Sequence, residues 1–443
     1  MSNLRIIRLA SADTRSLPRS PTAILALTVL FTSCNLNPEQ SALAIGLEKI
    51  VPTDGASGDL YGRNLALEGD SLVVGSIWHS SSPGRGVAYV YQRNASHWDF
   101  VTELSASDGQ AAANFGNAVG IDGTDIIVGD YQHSLSGPPT SVRSAGAAYV
   151  FSKSPAGWTQ TAMLSANDPT NNSQFGAAVD IRGNTALIGS GGSAAAYVFE
   201  LVGGTWTQRQ KLLPSFPDAF GLDGSFGEDV AIGDDFALVA ASSHDTGSQN
   251  SGAVFAFKKT PTGYVETDVL TAPIPIFRGS FGASIDVSGD SVLIGSPGGT
   301  PTSTPQPGAA YVFERNGDDW VQTAELQPSD KLNLDFFGSQ VALSGNFAAV
   351  AASGRSEGKV YLFEKANGIW TEVAQFMSGL SRPIDNFGGA LGIDGVLLTI
   401  GAPTDDEAGS NVGAVYTFTV PEPSCVLMAI IGILLFLPTF RSA

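Results

Sequence analysis

The chain has 443 residues, 42 acidic side chains against 23 basic ones, and a formal net charge of −19. That balance excludes a nucleic-acid binder, which needs clustered Lys and Arg to meet phosphate. With 43% hydrophobic residues the chain has apolar material for a large core, which excludes wholesale disorder.

Residues 1–44 read as an export segment. Arg5, Arg8, Arg15 and Arg19 precede the apolar run 23–31, the length of a signal-peptide core and short for a membrane span. Two cleavage sites stay open. Ala42-Leu43-Ala44 fits the A-x-A pattern of ordinary signal peptidase, whereas Phe31-Thr32-Ser33-Cys34 resembles a lipobox and would make Cys34 a lipidated first residue. Cys34 and Cys425 are the two cysteines and both lie in the end segments. The body therefore has neither a disulfide framework nor a Cys-ligated zinc site.

Residues 45–420 hold most of the acidic excess and consist of seven copies of one unit. An aromatic-Gly pair recurs at Tyr61-Gly62, Phe115-Gly116, Phe175-Gly176, Phe226-Gly227, Phe281-Gly282, Phe337-Gly338 and Phe387-Gly388. Fourteen residues after each aromatic stands Gly75, Gly129, Gly189, Ala240, Gly295, Ala351 or Gly401. A second aromatic follows as Tyr89, Tyr149, Tyr197, Phe255, Tyr311, Tyr361 and Tyr416, and nine residues after the first six comes Trp98, Trp158, Trp206, Tyr264, Trp320 or Trp370.

Each unit contains four short apolar or alternating runs, the signature of strands. In the second unit these are 117–121, 125–129, 147–151 and 158–164. A glycine eight residues after the aromatic (Gly69, Gly123, Gly183, Gly289, Gly345 and Gly395, with Asp234 as the one substitute) marks a tight hairpin where positive φ is required. Four antiparallel strands per unit and seven units make an all-β, seven-bladed β-propeller. The seventh unit stops after its third strand, and the segment 46–55 resembles 102–109, so the N-terminal strand is expected to complete the last blade and close the ring. The strictly spaced aromatics are expected to pack between blades.

The aromatic-Gly pairs, with Ile400-Gly401-Ala402-Pro403 as the fullest copy of the second half, resemble the FG-GAP repeat of the integrin α-subunit propeller and its bacterial relatives. The resemblance implies adhesion or ligand binding on one face. It also implies, in many such blades, a D-x-D-x-D-G calcium loop, and no unit here has one: turns such as Ser288-Gly289-Asp290 offer too few oxygens for calcium. At the C-terminus Pro421-Glu422-Pro423 precedes a short apolar run and Arg441. That order resembles the PEP-CTERM sorting tail of bacterial surface proteins, which implies processing by an exosortase. A plain membrane anchor is the alternative.

Length varies in one connection, between strands two and three, and variable loops on a rigid scaffold are where binding usually resides. The candidates for a ligand face are Trp78, His79, His133, His244, Asp245, Asp405, Asp406 and Glu407, with acidic links such as Asp54, Asp59 and Asp108 on the same face. The three histidines share one offset from the second-strand small residue and are expected to be solvated loop residues on separate blades, without a metal. No nucleophile elbow, zincin or phosphate-loop motif occurs, so no catalytic residue and no cofactor are expected. The reading is an exported, monomeric surface or matrix binding module, not an enzyme. Its expected partners are extracellular polysaccharide or another surface protein, with signal peptidase and exosortase as processing partners. A purely structural envelope protein and a glycan-acting hydrolase or lyase are the alternatives.

Overall fold

The structure, a computed structural model, describes residues 6–8 and 47–420, apart from short gaps at 80–84, 96, 110–113, 137–140, 216–224, 299–307, 331–334, 355–357 and 379–384. The two cleavage sites, Cys34, Cys425 and the Pro421-Glu422-Pro423 tail lie outside the described residues. No helix among the described residues is long and apolar enough to cross a membrane.

The chain folds into seven blades of four antiparallel strands each, one of which carries a fifth, parallel strand at its outer edge. In the second blade the strands are Ala118–Asp122, Asp125–Asp130, Ala147–Ser154 and Gly157–Leu164, running from the ring centre outward. The inner strand of each blade contacts those of its two neighbours, the last touching the first, so the ring closes. In six of the seven blades the glycine eight residues after the aromatic opens the first hairpin with φ between 53° and 59°, as at Gly69, Gly123 and Gly289, the arrangement of a type II′ turn.

Blade seven is built as expected from Ala390–Asp394, Leu397–Ala402 and Ala414–Thr419, with Leu47–Ile50 as its outer strand. Lys49 pairs in register with Tyr416. Its ammonium lies 2.9 Å from Asp405 and 2.6 Å from Glu407. The backbone reinforces the same junction: Gly58, Leu60 and Tyr61 donate to the carbonyls of Ser410, Asn411 and Val412. One strand was not foreseen. Ile6–Arg8, inside the expected export segment, runs parallel to the outer strand of blade six, Ile369–Met377, and so extends an otherwise open sheet edge.

The aromatics lie between blades. One cluster joins Val73, Ala88 and Val90 of blade one to Phe115, Val128, Tyr149 and Phe151 of blade two, and the other junctions repeat it. Within each blade the Phe of the aromatic-Gly pair meets the third-strand aromatic, as Phe226 meets Phe255 edge-on at 5.2 Å. Apolar contact alone does not explain the glycines. Gly62, Gly116 and Gly176 have φ near +85° and donate their N–H to the carbonyls of Gly75, Gly129 and Gly189. A Cβ on Gly75 would stand 2.0 Å from the carbonyl oxygen of Gly116 in the next blade, and one on Gly129 2.1 Å from that of Gly176. The small residue and the Phe-Gly glycine are therefore two halves of one close approach between backbones.

Two outcomes follow. Gly129→Val is expected to lower stability by about 3 kcal/mol or more in denaturant unfolding, because overpacking here is against backbone. Deleting residues 45–53 removes the outer strand of blade seven and is expected to lower the melting temperature of the whole domain; an unchanged melting temperature would refute this closure.

Candidate ligand-binding face and central channel

The connections between strands two and three share a face with the links from one blade to the next. In blades two, four and seven each is tied across to the following link: Arg143, Ser144 and Ala145 accept from Asn172, Gln174 and Phe175, and Gln249, Asn250 and Ser251 accept from Arg278, Ser280 and Phe281. Asp245 and Asp406 act inside these loops. Their Oδ1 atoms accept from the N–H of Asn250 at 2.5 Å and of Asn411 at 2.7 Å. Both asparagines have φ of 52°, a conformation Asn tolerates better than most residues. These two candidates are thus loop braces, and neither is fully exposed.

The histidines correct the expectation from sequence. His79, His133 and His244 are all buried, His79 with 2% of its surface exposed. The His133 carbonyl accepts from Gly146 and the His244 carbonyl from Gly252, which folds the loop back over the third strand. Each imidazole then packs against that strand's aromatic: His79 on Tyr89, His133 on Tyr149 and His244 on Phe255, with ring centroids 5.4–6.2 Å apart. His79 lies on no loop at all. Strand two of blade one runs through Ser71–His79, and an irregularity between Ser76 and His79 re-aims its end. Asp405 occupies the same offset in blade seven and is likewise buried, accepting from the Tyr416 hydroxyl at 2.7 Å. Of the eight candidates, Trp78, with 55% of its surface exposed, and Glu407 stand open to solvent.

The link carboxylates have a structural task that sequence did not suggest. Seven residues before the aromatic, Asp54, Asp108, Asp168 and Asp330 accept from the hydroxyls of Tyr89, Tyr149, Tyr197 and Tyr361 at 2.8–3.2 Å. Burial, followed by these carboxylates, raises the tyrosine hydroxyls well above their usual range. Asp59, Asp130 and Asp385 are buried rather than part of an acidic surface. Burial pushes Asp130 up to about 6, although the Asn114 N–H donates to its Oδ1 at 2.9 Å.

The inner strands enclose an acidic channel of about 600 Å³ that motif reading missed. Asp180, Asp229 and Asp286 line it, each walled in by protein while keeping some surface open to the bore. Every one of their six carboxylate oxygens accepts a backbone N–H. One comes from the following residue, and the other from Ile232, Ile285 or Leu343 in the next blade at 2.6–2.9 Å. Nearer the hairpins, Glu68, Asp122 and Asp394 accept from Gly123, Gly183 and Gly69 of the next blade, each at 2.6 Å. Where Asp234 replaces the glycine, the polarity inverts: Arg182 donates to the Asp234 carboxylate at 2.6 Å. These carboxylates sew the ring together, and nothing in the arrangement pairs a free acid with a free base.

Burial raises Asp180 to about 6 and Asp229 and Asp286 to about 7, against a usual value near 3.9, with the accepted N–H bonds opposing the rise. The folded state thus holds protons that the unfolded chain has lost between about pH 4 and 7, so stability falls as pH rises through that window. The contribution is fully unfavourable above about pH 7 and is relieved below about pH 4. Asp229→Asn is expected to flatten the stability slope between pH 5 and 8, measured by urea unfolding, whatever its effect on absolute stability. An unchanged slope would contradict the assignment.

The match to a repeat-family model agrees with this architecture. A search of curated protein sequences finds no match. Among solved structures, a putative 6-phosphogluconolactonase from Bacteroides uniformis is similar with a TM-score of 0.48 and 10% identity, over 70% of this chain and 83% of its own. That likeness is too distant to bear on activity. The FG-GAP repeat family model matches residues 47–91, 98–151, 158–199, 206–257, 320–363 and 370–418. The first three strands of the fifth blade fall between matched segments, yet they have Phe281-Gly282, the close approach at Gly295 and the Tyr311 ring. The chain belongs to the FG-GAP repeat family.

Proposed function

We propose that the protein is an exported binding module of the cell surface or extracellular matrix, and that its ligand face is the one carrying the connections between strands two and three. The observation that carries this reading is the contrast between fixed and variable parts. First hairpins and interblade seams repeat from blade to blade, whereas these connections differ in length on that repeated scaffold. The face offers the exposed indole of Trp78 and the carboxylate of Glu407. An exposed aromatic platform suits a sugar ring, and the acidity of the chain disfavours polyanions. The partner proposed is therefore an extracellular polysaccharide of neutral or basic character. Export through residues 1–44, and sorting through the Pro421-Glu422-Pro423 tail by an exosortase, belong to the same proposal and rest on the sequence pattern of those segments.

Affinity electrophoresis through gels containing the polysaccharide secreted by the native cells tests the binding. Retardation of the protein, weakened about tenfold or more by Trp78→Ala without loss of melting temperature, is the expected result. Equal retardation of both proteins would move the ligand off this face. Absence of retardation would leave a surface protein as partner or a purely structural role. The intact mass of protein recovered from cells and medium tests the address: a species starting after residue 44 and lacking the tail is expected.

A further inference from the structure

The repeats provide their own comparison at the third-strand tyrosine. In every blade one outer-strand residue pairs in register with the third-strand aromatic: Lys49 opposite Tyr416, Lys211 opposite Tyr197, Gln375 opposite Tyr361 and Glu103 opposite Tyr89. Where the tyrosine hydroxyl meets a carboxylate, an ammonium usually joins them. Lys211 lies 2.7 Å from Asp168 and over the Tyr197 ring, and Lys49 lies 2.9 Å from Asp405 and over the Tyr416 ring. In blade six Lys359 reaches Asp330 at 2.6 Å from the neighbouring strand. Three blades thus hold a cation at one place in the fold.

Blade one has the same tyrosine and the same link carboxylate, but its outer strand supplies a second carboxylate where blades three and seven supply lysine. The Asp54 Oδ2 lies 3.4 Å from the His79 Nε2. One donor atom from each of Asp54, His79 and Glu103 falls within 4.8 Å of the others. Among the described residues no Lys or Arg pairs with Asp54 or Glu103. The imidazole is buried and held against the Tyr89 ring, so its Nε2 is presented to the carboxylates by the core of the blade. Asp54 and Glu103 approach from the solvent side.

We propose that Asp54, His79 and Glu103 form a binding site for a divalent transition-metal cation such as Zn2+, which takes the place of the lysine ammonium of blades three and seven. The chemistry fits in three respects. One imidazole and two carboxylates are a donor set that suits zinc, whereas calcium takes oxygen alone. Donors of a tetrahedral zinc with bonds of about 2.1 Å stand roughly 3.4 Å apart, so side-chain adjustment of the two exposed carboxylates closes the set around the ion. Two carboxylates need two positive charges, which one lysine does not supply. Asp54 and Glu103 each have part of their surface open, which leaves coordination positions for water or for a ligand oxygen on the same face as Trp78. Blade two marks the boundary of the pattern: His133 and Asp108 are present, but Met163 replaces the second carboxylate opposite Tyr149. The proposal stands without the polysaccharide reading.

Calorimetric titration of chelator-stripped protein with Zn2+ alone tests it. One tight site per chain is expected, weakened at least tenfold by Glu103→Gln and by Asp54→Asn, while Glu325→Gln, at the equivalent register position of blade five, leaves it unchanged. Glu103 is exposed, so its variant keeps the fold, and equal melting temperatures without metal check this. Many weak sites that ignore Glu103→Gln would show only the general affinity of an acidic surface for cations and would overturn the proposal. So would the absence of heat, or equal loss in Glu325→Gln.

Discussion

Two backbones touch at five of the seven seams of this ring with no side chain between them, and at the other two only the methyl of Ala240 or Ala351 intervenes. The carbonyl of the Phe-Gly glycine faces the second-strand small residue of the preceding blade, at a distance that a Cβ would bring to 2.0–2.2 Å at Gly75, Gly129, Gly189, Gly295 and Gly401. The same glycine turns its N–H back onto its own blade. Once the backbones are that near, the aromatic before the glycine has to lie in the gap between sheets, and its tilted contact with the third-strand tyrosine follows. The seam also sets the channel: blades this close bring inner strands within reach of one another's side chains, and Asp180, Asp229 and Asp286 bond across to the next blade.

Rigidity and variability are therefore separated by geometry. The hairpin face and the channel are sewn by repeated side-chain to N–H bonds, with Arg182 and Asp234 preserving the link where the glycine is lost. The opposite face tolerates different lengths, because a connection there needs only to return its last residues to the neighbouring link, as 143–145, 249–251 and 410–412 do. Where those ties are made the ends of the connections are preorganised, and less ordering opposes association there.

The seams were legible in sequence because close backbone approach and positive φ leave glycine or alanine as the residue, and that requirement recurs with the period of the blade. The missing outer strand of blade seven was legible for the same reason, from the likeness of 46–55 to 102–109. The histidines were not. Nothing in the offset of His133 or His244 tells that the loop folds back through Gly146 and Gly252 and lays the imidazole on an aromatic ring. The channel carboxylates were hidden too, since a lone Asp in a short alternating strand reads as solvent-facing. The equivalence of Glu103 with Lys211 and Lys49 depends on strand register, which the spacing of aromatics does not reveal.

The central claim is a ring closed as firmly at its last seam as at its others. Hydrogen exchange measured residue by residue tests it most directly, through the amides of Gly58, Leu60 and Tyr61, which bond to 410–412, against those of Asn172, Gln174 and Phe175, which bond to 143–145. The account predicts comparable slow exchange at both seams. Rapid exchange at 58–61 beside slow exchange at 172–175 would mean that the ring is open where the N-terminal strand is said to close it.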